Sequence, residues 1–179
     1  MMILTTSALI SMLLIACWQD FHDYRIKNKL FILGALLGIA LNTFFSLETG
    51  FLDSVIGLSF GLLLLLPLYL LRIMGAGDVK LMAMVGAFVG QSDILWVVLY
   101  TLIAGGLLAL IFSLWQGALR RLIDNVALMF LLVLSTPKSE LLKGSSSFSV
   151  EASQSVGKLP YAIAITTGTG VFLALKHLQ

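Results

Sequence analysis

Charge is what this chain has least of. Only 11% of its 179 residues are Asp, Glu, Lys or Arg, whereas 59% are hydrophobic, and the mean hydropathy is +1.04. A soluble domain carries about 25% charged residues, and less than half of that cannot cover a water-facing surface. A soluble enzyme, a nucleic-acid binder and a disordered chain are thereby excluded. The net charge of +2 is too small to imply a polyanionic partner. Cysteine is nearly absent: Cys17 alone cannot form an internal disulfide or a multi-cysteine zinc site. Histidine is limited to His22 and His177, far apart in the chain, so neither a metal centre nor a cofactor is expected.

What remains is long apolar sequence. Residues 1–19, 30–47, 54–71, 94–119 and 159–175 carry no charge. Each is near the roughly 20 residues that cross a bilayer as a helix. A shorter gap, 81–92, is lengthened if its helix starts at Asp78 and Lys80 snorkels towards the headgroups. The expected class is an all-α, multi-pass membrane protein in one domain over 1–179. Its spans are expected at about 2–19, 29–46, 53–72, 78–91, 94–116 and 159–176. The first lacks a basic n-region and a small-residue cleavage site, so it reads as a retained helix and not a signal peptide.

Orientation follows from Lys and Arg. With six spans and the N-terminus outside, ten basic residues fall in inner loops and only Lys176 outside. Dropping the short fourth span reduces the split to 6 against 5, and adding 122–135 as a span gives 8 against 3. Six spans are therefore expected, with 122–135 as an interfacial or re-entrant helix and the Ser/Gly/Lys-rich 135–158 as a flexible cytoplasmic loop. Three GxxxG pairs, Gly34/Gly38, Gly57/Gly61 and Gly86/Gly90, are expected at close helix crossings.

On this map, Asp20 and Asp78 share one membrane depth on the cytoplasmic face, although far apart in sequence. Two carboxyl groups a few ångströms apart share a proton, because both cannot ionise cheaply. The ionised member can deprotonate water, and the protonated member can polarise a scissile carbonyl and protonate the leaving nitrogen. A plainer reading stands beside this one. Asp20 and Asp23 have Arg25, Lys27 and Lys29 close by for ion pairs, and Asp78 has Lys80 or can cap a helix N-terminus. The flanking string Gly75-Ala76-Gly77-Asp78-Val79-Lys80 favours chemistry. Glycines at minus one and minus three remove side chains beside the carboxylate, permit unusual backbone angles and admit an extended peptide. A capping aspartate needs neither.

These residues resemble the type IV prepilin peptidase family of GxGD membrane aspartyl proteases. Asp20, with Ile26 six residues on and Asn28 eight residues on, matches the first family motif except that Lys27 stands at its proline position. Gly75, Gly77, Asp78 and Lys80 match GxGDxK in full, and Lys158-Leu159-Pro160-Tyr161-Ala162 is similar to a segment that leads into the last helix. The resemblance implies a bacterial inner-membrane peptidase that removes the basic leader of prepilins or pseudopilins on the cytoplasmic side. It implies an Asp20–Asp78 dyad, with Gly75 and Gly77 admitting substrate and with Lys80 and Asn28 in support. Lys80 would bias the dyad, contact a substrate acid or snorkel; Asn28 would hydrogen-bond near the site or cap the second helix, the cap being the stronger expectation. Asp23 is the rival to Asp20. The short link between the first two helices and the single cysteine are similar to the small, peptidase-only branch found with Flp/Tad-type pili, without methyltransferase activity. Two other readings remain: a presenilin-type intramembrane protease, and a small transporter or pilus assembly-platform subunit. The expected partners are the prepilin and membrane lipid, with no nucleic acid; oligomeric state is left open.

Overall fold

The structure is a computed structural model that describes residues 2–23, 27–46, 49–70, 74–115, 117 and 161–178. They form six helices: α1 Met2–Asp23, α2 Asn28–Phe45, α3 Gly50–Leu70, α4 Ala76–Val89, α5 Gln91–Trp115 and α6 Tyr161–Leu178. The segments 122–135 and 135–158 lie outside the described residues. The chain divides into two compact units, one of residues 1–105 with 160–179 and the other of 106–159. Of the second, the described part is the end of α5 and Gly117, whose φ is +63°.

Four helices, α1, α2, α3 and α5, are long and apolar enough to cross a membrane. The other two expected spans are shorter. α4 has 14 residues and rises about 21 Å, below the roughly 30 Å of a hydrocarbon core. The apolar part of α6 runs from Tyr161 to Lys176. The shortness of α4 is explained by its surroundings. Residues 81–88 are all buried, and α1, α2, α3 and α6 pack around it. It is the axis of the first unit and meets protein where the others meet lipid.

Each surrounding helix offers α4 a stripe at helical spacing. On α2 it is Leu30, Gly34 and Gly38; on α3, Gly57, Gly61 and Leu65, while Gly50 and Ser54 face Asn42 of α2. On α1 it is Leu9, Leu13, Ala16 and then Asp20. The glycines act by removing volume. A Cβ on Gly57 would lie 2.3 Å from the Gly86 carbonyl oxygen, and one on Gly86 would lie 2.2 Å from that of Gly57. Gly61 faces the Met82 carbonyl, Gly34 faces the Met84 side chain and Gly38 faces Phe88. All three GxxxG pairs thus sit at crossings with close approach, as small residues allow in lipid.

The far end of α4 is tied down by polar groups. Asn42 donates to the carbonyls of Ala87 at 3.1 Å and Phe88 at 3.0 Å, and to Ser54 Oγ at 2.9 Å. It thereby satisfies carbonyls that the helix terminus leaves without partners. Gly90 then turns with φ +82°, and a Cβ there would run into the Asp53 carboxylate. Asp53 in turn accepts from the Gln91 N–H at 2.8 Å, at the start of α5. Lys176 pairs with Asp93 at the same end.

Candidate active site

The opposite end of α4 carries the GxGD string. Gly75 precedes the helix in extended conformation, φ −75° and ψ 152°. The Asp78 N–H donates to the Gly75 carbonyl at 3.2 Å, and the Gly75 N–H donates back to Asp78 Oδ2 at 3.1 Å. Asp78 is therefore a genuine cap of its own helix, as the plainer reading held. It has a second relationship as well: its carboxyl group lies within electrostatic range of Asp20.

Asp20 arrives from α1. The expected span ended at residue 19, but the helix runs on through Asp23. Charge gaps mark where apolar sequence stops, and a helix continues past that point wherever water or protein meets its polar side chains. The extension puts Asp20 on the buried stripe of Leu9, Leu13 and Ala16. Its Oδ2 accepts the Ala162 N–H of α6 at 3.2 Å. That amide belongs to the first turn of α6, where N–H groups have no partner within the helix and where negative charge is stabilised. Asp23 ends α1.

Of the means expected of the glycines, unusual backbone angles are not used. Gly75 has ordinary extended angles, and Gly77 lies inside the first turn of α4; positive φ among the described residues occurs at Gly90 and Gly117 only. Unusual backbone angles are thus not what Gly75 and Gly77 supply. Space is: a Cβ on Gly75 would come within 3.2 Å of Asp78 Oδ2.

Of the two readings of Asn28, the cap is not what forms. Asn28 is the first residue of α2, and the residue before it, Lys27, makes no side-chain cap. Asn28 Oδ1 instead accepts from Lys80 Nζ at 2.9 Å, joining the starts of α2 and α4. An N-terminal cap requires the side chain to fold back on its own helix; here the ammonium offers a stronger, charge-assisted donor. Lys80 thus points to a neutral amide and not to the acid two residues before it.

Sequence reasoning gave α6 too small a part. Tyr161, its first residue, is partly buried and lies within electrostatic range of Asp78. Deeper in α6, Thr166 Oγ1 donates to the Ala162 carbonyl at 2.8 Å and lies 3.0 Å from Cys17 Sγ on α1. The signal for this region was the Pro160-Tyr161-Ala162 string, read above only as a similarity at the entry to the last helix.

Three helix termini and the end of a fourth element therefore meet around two carboxyl groups. The profile of the type IV leader peptidase family matches residues 7–114. The chain belongs to the type IV leader peptidase family. All of Asp20, Asp23, Asn28, Gly75, Gly77, Asp78 and Lys80 fall inside the matched region, whereas α6 falls outside it. The match thus spans α1 to α5 and leaves out the 158–162 segment. No curated protein and no solved structure gave a significant match. At the level of the family the protein is a leader-peptidase-like protease, and its long apolar helices suit a membrane protein.

Proposed function

We propose that the protein is an aspartyl endopeptidase that removes the basic leader of a type IV, Flp-like prepilin or pseudopilin at the cytoplasmic face of the bacterial inner membrane. The observation that carries this reading is the meeting of Asp20 and Asp78, 58 positions apart in sequence, at one end of the bundle within electrostatic range. Neither acid forms an ion pair among the described residues. One proton shared by such a pair supplies both an acid and a base for peptide hydrolysis. The ionised carboxylate takes a proton from water as its oxygen attacks the scissile carbonyl. The protonated one hydrogen-bonds the developing oxyanion, and its proton passes to the leaving nitrogen as the C–N bond breaks. The pair titrates as a unit, so the two roles belong to the dyad.

The remaining parts fit around that chemistry. Gly75 leaves room beside Asp78 for a substrate backbone in extended form. The Lys80–Asn28 bond holds the start of α4 against α2 and thereby fixes Asp78. The active end is assigned to the cytoplasm by the distribution of Lys and Arg over six spans with the N-terminus outside. The single cysteine and short α1–α2 link support a peptidase without methyltransferase activity.

Co-expression with an Flp-type prepilin and a gel-shift readout tests the dyad. Asp20→Asn and Asp78→Asn are each expected to abolish cleavage while the protein still inserts, and Asp23→Asn is expected to retain it. Purified enzyme should cleave a prepilin peptide in the presence of chelators. Normal cleavage by either dyad variant rejects the mechanism, and an inactive Asp23→Asn beside an active Asp20→Asn moves the first carboxylate.

A further inference from the structure

We infer that Tyr161 is a third catalytic group, its phenol donating a hydrogen bond to the scissile carbonyl oxygen as that oxygen becomes an oxyanion. The inference rests on the aspartyl-dyad reading. It starts from the entry of α6. The Ala162 N–H is bonded to Asp20, so the residue immediately before it is held at the edge of the same site. Tyr161 is that residue, and Asp78 lies within its electrostatic range. The first turn of α6 thus brings an aromatic residue to the edge of the site, although α6 follows both acids by more than eighty positions.

The ring has a prepared seat. A Cβ at Gly105 of α5 would lie 2.7 Å from Tyr161 Oη, 3.0 Å from Cζ and 3.1 Å from Cε2. The absence of a side chain at Gly105 is therefore what lets the hydroxyl end of the ring lie where it does. Placing Tyr161 against Gly105 gives the glycine a packing role. The backbone beneath Tyr161 is braced too. Ala162 is held through its N–H by Asp20 and through its carbonyl by Thr166, whose hydroxyl contacts Cys17. A phenol fixed by packing on one side and by a braced helix turn on the other is a preorganised donor. Such donors stabilise developing charge without reorganising during the reaction. The phenol keeps its proton throughout; the proton delivered to the leaving nitrogen comes from the dyad.

The test is steady-state cleavage of a prepilin peptide by the full-length enzyme in detergent, with wild type, Tyr161→Phe, Gly105→Ala and the double variant compared. Tyr161→Phe keeps the ring and its packing, and is expected to lower kcat about a hundredfold, the effect of deleting one oxyanion donor, with KM little changed. Gly105→Ala is expected to lower kcat by displacing the phenol. Its effect should be much smaller in the Tyr161→Phe background, because residues that act through one contact are not additive. A Tyr161→Phe enzyme with wild-type kcat overturns the inference, as does a loss confined to KM. In either case Asp20→Asn and Asp78→Asn should still be inactive, so the dyad stands. Active dyad variants would instead remove the reading on which this one rests.

Discussion

The two ends of α4 use the same residue types in opposite ways. At the Asn42 end both described acids have a settled partner: Asp53 takes the Gln91 N–H, and Asp93 takes the Lys176 ammonium. At the Gly75 end Asp20 and Asp78 accept one backbone N–H apiece and otherwise lie within range of each other. The nearby cation, Lys80, is turned to Asn28. A charge neutralised in place, as at Asp93, serves structure. Acids held by neutral donors, with a second acid for company, keep a proton available for chemistry. The contrast separates a fastening from a reactive site better than a count of acidic residues does.

The largest expected effect breaks the comparison outright. Asp78→Asn should reduce cleavage below detection, and Asp93→Asn, at the other end, should leave the rate near wild type in the same gel-shift assay. If both are inactive, the two ends are not functionally distinct. Next comes the helix crossing that joins the ends. Gly57→Ala forces a Cβ to within 2.3 Å of the Gly86 carbonyl oxygen and is expected to cost about 1–3 kcal/mol, as overpacking does. Thermal unfolding in detergent measures it. A smaller effect is expected at the tether: Lys80→Met should lower the cleavage rate about tenfold, or about 1.4 kcal/mol, just under the roughly 1.5–3 kcal/mol of a charge-assisted hydrogen bond. Smallest is Lys176→Gln. That ion pair is partly exposed, so its loss should change stability by less than about 1 kcal/mol and cleavage not at all.

Much of this arrangement is written in local patterns. The spacing of Gly34/Gly38, Gly57/Gly61 and Gly86/Gly90 marks the crossings because in lipid only small residues bring backbones together. Asp20 and Asp78 stand out because a carboxylate near a long apolar run is costly unless used. Less legible is everything set by tertiary contact. Lys80 has no local clue that its partner is Asn28, 52 positions away. The Ala162 amide that reaches Asp20 is a backbone group, and backbone groups leave no trace in residue identity. Asn42 had a readable signal, an amide within an apolar helix, yet only the fold reveals that it serves the end of α4. Helix limits shifted for a related reason: α1 continues to Asp23 because its last turn has polar surroundings, whereas counting charges locates only the edge of oil.

The brevity of α4 bears on how water and peptide could arrive. A fourteen-residue rod enclosed by taller neighbours falls about 9 Å short of a membrane's oily thickness, and a deficit of that size, if taken up at the Gly75 end, would set the acids in a bowl below the headgroups. Solvent can fill such a bowl without dissolving in hydrocarbon, and a cleavage junction can be lowered into it while the adjoining apolar segment stays among the lipid tails.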